Sequence, residues 1–378
     1  MSGIYIHIPF CKQACHYCDF HFSTSMKKKD EMITALCNEI KLRQSEVDSE
    51  ETIKTIYFGG GTPTVLSVDE LQLILDTIYK NYKVDQDAEI TIEANPDDLT
   101  EEKITSLAKS KVNRLSIGIQ SFFETDLKMM NRAHNAEEAK KCLTIATSYF
   151  DNISIDLIYG IPNMSMQRWK QNIRLALDFG VPHISCYALT VEPNTALPKL
   201  IEKGKIPSVD DDLAQEHFKI LVDTLEHEGF IHYELSNFGK PEYFSKNNTA
   251  YWQGKHYLGI GPSAHSFNGK QRSWNINNNT KYLKEIHQNI LPKEIENLTT
   301  TDVYNEYIMT GLRTIWGVSI QKVEKDFGKK YKEHLLKQVQ KFIDQHLISL
   351  DNDTLLVSKK GKFLTDGIAS DLFLLNLE

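Results

Sequence analysis

The sequence predicts an α/β fold, a partial (β/α)6 barrel followed by a smaller, mainly helical, winged-helix-like C-terminal domain. Three observations lead there. Six short β-branched runs alternate with amphipathic segments over the first 240 residues or so, the pattern of repeated βαβ units and a parallel sheet. Polar residues collect at the C-terminal ends of successive runs, as in β/α barrels, where each strand gives one or two groups to one rim. After about residue 200 the rhythm changes to long helical segments.

The strand-like runs are "IYIHI", "TIKTIYFGG", "EITIEANP", "NRLSIGIQS", "NISIDLIYG" and "HISCYALTV". Between most of them lie segments with apolar residues at helical spacing: "VDELQLILDTIYKNY", "EEKITSLAKSK", "NAEEAKKCLTIATSYF" and "SMQRWKQNIRLALDFG". A doubly wound sheet also fits the alternation, but it would gather its polar groups at one switch point. Here Gly59 to Thr64, Glu93 with Asn95, Gln120, Asp156 and the stretch after Tyr187 fall on successive strand ends. We expect a barrel over residues 1–240, an aromatic- and glycine-rich connecting segment over 241–280, and a C-terminal domain over 281–378. That last part ends in two short strands around Asp351-Asn352-Asp353 and a helix.

Bulk properties exclude several classes. No 18-residue apolar run exists, so no membrane-spanning helix is expected. The N-terminal "GIYIHIPF" has no basic leader or cleavage site, and the chain reads as cytoplasmic. A net charge of −8 argues against a general nucleic-acid binder; the basic run Lys27–Lys29 reads as a solvated face. Thiols stay reduced in the cytoplasm, so clustered cysteines point to metal rather than to disulfides.

Such a cluster is "CKQACHYC", with Cys11, Cys15 and Cys18 in one loop after the first strand. A structural zinc site would need His16 or His21 as a fourth ligand. Three thiolates on a four-iron cluster leave one iron open, to which a substrate can bind. Cys37, Cys142 and Cys186 fall in helix, helix and strand and read as plain buried cysteines. In "FGGGTPT", Phe58 to Thr64, the glycines let backbone approach a ligand closely, and the missing Gly-Lys-Ser/Thr excludes a Walker loop. "GIGPSA" matches a dinucleotide pattern but lacks a preceding βαβ context and carries a proline, so it is discounted.

Cys-x3-Cys-x2-Cys after the first strand resembles the cluster motif of the radical S-adenosylmethionine (SAM) superfamily, in which the open iron of a [4Fe–4S] cluster chelates SAM. Within it, the chain is similar to the oxygen-independent coproporphyrinogen III oxidase family from about residue 4 to residue 370. That resemblance implies SAM contacts at Tyr5, Tyr17, Gly60, Gly61, Thr62, Glu93, Gln120, Arg132, Asp156 and Ala188, with Arg132 suited to the SAM carboxylate. Two branches of the family differ in chemistry. The oxidases decarboxylate a porphyrinogen; the HemW branch is described as binding heme and delivering it to acceptor proteins, respiratory membrane complexes among them. The oxidases carry a fourth cysteine where this chain has Phe20, and an N-terminal extension that is not expected here. "YELSNFG", Tyr251-Trp252 and "GIGPSAHSF" look like the HemW branch. The resemblance thus implies a heme chaperone with a [4Fe–4S] cluster, SAM and heme, and peripheral membrane contact at most.

One position departs from the branch: "KNNTAYW" has Asn247 where a histidine is expected. Asparagine is a poor ligand for heme iron, so His265 is the first substitute, with His7 and His256 behind it. Tyr251 and Trp252, with Tyr257, Phe267 and Trp274, form either interdomain core or a wall for a flat macrocycle, since heme sites are largely apolar.

Overall fold

A computed structural model describes residues 3–375. Six strands, β1 (Gly3–Ile8), β2 (Ile53–Gly60), β3 (Val84–Ala94), β4 (Arg114–Gln120), β5 (Ile153–Tyr159) and β6 (His183–Ala188), pair in parallel and in chain order. Parallel neighbours cannot be joined by a tight turn. The crossovers are α1 (Lys29–Leu42), α2 (Val68–Asn81), α3 (Glu101–Ala108), α4 (Glu124–Met129) with α5 (Ala136–Ala146), and α6 (Met166–Asp178). Local chemistry starts these helices where the sequence places them. Ser67 with Glu70 closes a capping box on α2, and Asn135 with Glu138 does so on α5; each satisfies backbone N–H groups that have no intrahelical partner. Every residue of β4 is buried, as expected for a strand covered on both faces.

The barrel does not close. β6 continues antiparallel into a hairpin formed after α7 (Leu197–Glu202) and α8 (Asp211–His227), with β7 (Ile231–Glu234) outermost and β8 (Asn237–Gly239) against β6. On the opposite edge β1 pairs with a strand from far along the chain. The stretch 241–280, expected to connect two domains, is built into the sheet: after α9 (Lys246–Trp252) come β9 (Tyr257–Ile260), β10 (His265–Phe267) and β11 (Gln271–Asn275). β9 runs parallel to β1 with Tyr5 opposite Gly259. α10 (Asn279–His287) packs on α1, and β12 (Lys293–Asn297) ends a twelve-stranded sheet. The reason is an unpaired edge: with six parallel strands and no closure, β1 has a free row of backbone groups that β9 satisfies. One apolar core runs from Ile4 to Ile286.

From α11 (Thr300–Leu312) onward the chain forms a second core. β13 (Val318–Ser319), α12 (Ile320–Phe327), α13 (Lys329–Asp344), β14 (Ile348–Asp351), β15 (Thr354–Val357) and α14 (Thr365–Asp371) follow, with a three-stranded antiparallel sheet in the order β13-β15-β14. Asn352 makes the β14–β15 turn in a left-handed conformation (φ 52°), which asparagine tolerates. This winged-helix-like module abuts the barrel through the Ile315 N–H donating to the Tyr233 carbonyl (3.0 Å), Arg313 over the Trp252 ring, and an Arg272–Glu306 ion pair. Among the described residues no helix is long and apolar enough to cross a membrane.

Candidate functional site

A cavity of about 390 Å³ opens at the C-terminal rim of the six parallel strands. Cys11, Cys15 and Cys18 line it together with Tyr17, Gly60, Gly61, Thr62, Glu93, Gln120, Arg132, Asp156 and Ala188. Positions spread over 178 residues therefore converge on one wall. Parallel register explains it: His7 lies level with Gly59, Glu93 with Ser116, and Asp156 with Ser185.

The cysteine loop leaves β1 through backbone bonds, with the Cys11 N–H donating to the Ser23 carbonyl at 3.1 Å and the His16 N–H to Met130 at 3.1 Å. Burial pushes the Cys11 thiol up to about 11 and the Cys18 thiol up to about 12. Thiols so placed keep their protons until a metal supplies the positive charge that a thiolate needs. Thr62 Oγ1 donates to Cys11 Sγ (3.5 Å), and Arg132 Nη1 stands 3.4 Å from Cys15 Sγ. The histidines a zinc site would require are elsewhere: His16 Nδ1 bonds the Met129 carbonyl (2.8 Å), His21 Nε2 bonds Asn279 Oδ1 (2.7 Å), and neither lines the cavity. Among the described residues no three His, Cys, Asp or Glu side chains are grouped to hold a single metal ion. Three thiols and no fourth donor fit a cluster of several irons better than a closed zinc knot.

The rest of the wall is polar and half-buried, with Thr62 and Gln120 buried. Gly60 has φ 106°, a left-handed conformation, and a Cβ there would stand 2.5 Å from the His7 ring; at Gly61 it would stand 2.5 Å from the Phe10 carbonyl. The glycine run thus lets β2 turn directly beside the cysteine loop. Glu93 accepts from Tyr57 Oη (2.8 Å) and the Gly60 N–H (3.2 Å), yet burial still raises its pKa to about 7. Asp156 rises to about 6 for the same reason, although Arg114 opposes the shift. Arg132 donates to Asn95 Oδ1 (2.6 Å) and the Gly118 carbonyl (3.0 Å) and approaches Tyr17 Oη at 3.4 Å. Burial works against its charge, but Tyr17 and Cys15 outweigh burial and hold its pKa above the usual range. Gln120 ends β4 at φ 62° with its buried Oε1 unpartnered, and Arg132 Nε is likewise unpartnered. Buried polar atoms left open on a cavity wall are groups prepared for a polar ligand. Sequence reasoning missed Arg114, a buried arginine at the head of β4, whose charge acts on both acids and lowers their pKa values.

Tyr5 is placed differently from the other expected SAM contacts. It stacks on Tyr57 (6.1 Å between ring centroids) and lines a second cavity of about 600 Å³. His7, His21, Asn247, Tyr251, Tyr257, His265, Lys255 and Arg272 share that cavity, and Asp19 and Phe20 line both cavities. Asn247 accepts from Thr55 Oγ1 at 3.1 Å, so the position where a histidine is expected does face this space. His265 opens β10 beside Trp274 (6.0 Å), and burial lowers its pKa. His7 is buried with its pKa lowered to about 4 by desolvation, and its Nε2 bonds the His21 carbonyl (2.8 Å). Trp252 does not line the cavity; it meets Tyr251 edge-on (5.4 Å) and carries Arg313 on its face. His256 lies against Phe267 instead (6.2 Å).

Residues 5–189 match the model of the radical SAM superfamily, and residues 298–364 match the HemN C-terminal domain. The chain is 33% identical to the heme chaperone HemW of Bacillus subtilis over 96% of its length and 97% of that protein. The chain belongs to the HemW family. HemW of Escherichia coli is 37% identical over 70% of the chain and 69% of its own length. A mouse protein, radical S-adenosyl methionine domain-containing protein 1, mitochondrial, is 30% identical over 97% of the chain and 86% of its own. Among solved structures, coproporphyrinogen III oxidase (HemN) of E. coli superposes with a TM-score of 0.85 over 98% of the chain and 89% of its own, at 22% identity. That likeness is one of fold. The chain therefore combines a radical SAM domain with a HemN-type C-terminal module.

Proposed function

We propose that this chain is a [4Fe–4S]- and SAM-binding heme chaperone, which binds heme and passes it to acceptor hemoproteins. The observation that carries the reading is the pair of adjoining cavities. One is walled by three thiols and a polar rim; the other, by aromatic rings, histidines and two cations; Asp19 and Phe20 belong to both. Cys11, Cys15 and Cys18 would hold the cluster, which would supply iron to bind the amino and carboxylate groups of SAM. Arg132 offers a fixed cation to a carboxylate, Glu93 and Asp156 offer anionic oxygens to hydroxyl or cationic groups, and Gln120 offers an unpaired amide oxygen. Tyr17, Gly60, Gly61, Thr62 and Ala188 shape the wall, with Tyr5 at the border between the cavities. Heme would occupy the second cavity with His265 as iron ligand and Tyr251 against the ring, and Trp252 would support Tyr251 from behind.

Phe20 stands where the oxidases have a fourth cysteine, so ready conversion of coproporphyrinogen III is not expected. Acceptors in respiratory membrane complexes suit the resemblance and would bring a cytoplasmic chain to the membrane surface. An anaerobic titration of cluster-reconstituted protein with heme, followed by absorbance, tests the proposal. Stoichiometric binding that persists in the Cys11→Ala/Cys15→Ala/Cys18→Ala variant supports a carrier with a separate heme site. No binding by either form sinks it.

A further inference from the structure

The second cavity carries two cations that do not line the first. Lys255 follows α9 and Arg272 sits on β11, and both line the space that also holds Tyr251, Tyr257 and His265. Register places Arg272 opposite Phe267 and Trp274 opposite His265. Cross-strand partners and alternate residues share a face, so His265, Phe267, Arg272 and Trp274 form one side of the β10–β11 ribbon. Ser266, on the other side, accepts a hydrogen bond from the buried Arg43 (3.1 Å). A flat ring held near His265 would therefore have a guanidinium at its edge.

Arg272 is also engaged. Its Nη2 pairs with Glu306 on α11, in the C-terminal module, and Glu296 of β12 lies directly across the ladder. The Arg272 and Glu306 side chains are about one-third exposed. A partly exposed pair of this kind is exchangeable, because water still reaches both partners and screens their attraction. Burial raises the Glu306 pKa while Arg272 opposes the shift. A second carboxylate entering the cavity would compete with Glu306 for one bidentate donor.

We propose that Arg272 and Lys255 anchor the carboxylates of a dicarboxylic macrocycle in the second cavity, and that the incoming carboxylate takes Arg272 from Glu306 and so loosens the C-terminal module when cargo is loaded. The proposal rests on the heme-carrier reading and adds to it a recognition element and a response. It involves no covalent step: one ion pair is exchanged for another. Neutral or esterified rings of the same shape would fill the cavity without moving Arg272.

The test uses the full-length protein with hemin and with hemin dimethyl ester, which keeps ring and iron but lacks both carboxylates. Dissociation constants are measured for wild type, Arg272→Gln, Lys255→Gln and Glu306→Gln, each checked by its thermal melt. Hemin is expected to bind Arg272→Gln roughly tenfold more weakly, the scale of one charge-assisted hydrogen bond. It should bind Glu306→Gln severalfold more tightly, because the competitor is gone, while the ester should bind all four proteins alike. A merely structural ion pair would shift hemin binding in the same direction in both variants, and that result, or an ester bound as tightly as the acid by wild type, overturns the anchor. Hydrogen exchange in 300–312 should rise with hemin and stay unchanged with the ester; no rise overturns the loosening. Failure of wild type to bind hemin at all would instead defeat the carrier reading, and this inference with it.

Discussion

The two cavities adjoin, yet they are built on different principles. The first is a rim site, whose polar groups hang from the ends of sequential parallel strands and are held by one another. Arg132 ties Asn95, Gly118, Tyr17 and Cys15 together, and Glu93 ties Tyr57 to Gly60. The second is assembled from the N-terminal strand, α9 and the β10–β11 ribbon, and aromatic rings dominate it: Tyr5, Tyr257 and a half-exposed Tyr251. A polar, mutually braced wall suits a small polar cofactor that stays. A wall of rings with cations at its edge suits a bulky cargo that must leave. Preorganisation gives tight retention, and retention is a disadvantage in a carrier.

The comparison can be broken most sharply at the thiols. The Cys11→Ala/Cys15→Ala/Cys18→Ala variant should lose all iron and sulfide by elemental analysis and the broad cluster absorbance, while its thermal melt changes little. If heme binding vanished with the cluster, the two cavities would not be independent.

Arg132→Leu comes next. It removes one cation and leaves Asn95, the Gly118 carbonyl and Tyr17 without their donor. SAM affinity should fall by about 100-fold, the scale for deleting one partner of a desolvated charge pair; equilibrium dialysis of the reconstituted protein measures it, and heme affinity should not move.

In the second cavity, Asn247→His should raise heme affinity by about tenfold and shift the Soret band, since imidazole is a common axial ligand and asparagine is not. His265→Ala should shift the Soret band of the unaltered chain. An unchanged band would remove His265 from the iron.

The smallest effect is a pH dependence. Burial holds the Glu93 pKa at about 7, above its ordinary 4.5, so the folded protein binds more protons than the unfolded one between those values. Stability therefore falls as pH rises through that window. Glu93→Gln abolishes this cost, so relative to wild type it should gain about 1–3 kcal/mol between pH 5 and pH 8, read from denaturant unfolding at the two pH values. SAM, a cation at its sulfonium, should bind wild type a few-fold more tightly at pH 8 than at pH 6, and the variant should keep only the smaller part that Asp156, raised to about 6, contributes.

Much of the first cavity is legible in the sequence, with Tyr17 and Arg132 reached through the family resemblance. Three thiols within eight residues are a local signal. Glu93, Gln120, Asp156 and Ala188 were legible because the βα rhythm makes each strand end a rim position, and parallel register turns even spacing along the chain into proximity in space. Tyr5 marks the edge of that logic: it lies on the right strand, but its side chain faces the second cavity. Several residues of the second cavity are also legible in the sequence, but their assembly depends on tertiary pairing. Asn247, Tyr251, His265 and Arg272 meet Tyr5 and His7 only because β9 pairs with β1 across some 250 residues, opposite Gly3 to Ile6. No periodicity encodes such a pairing. It follows from the free edge that an unclosed barrel leaves on β1, and from the core that accepts the strands covering it. Trp252 shows the same limit, since whether an aromatic ring lines a cavity or braces a neighbour depends on where α11 docks, and Arg313 at the end of α11 fixes it as a brace.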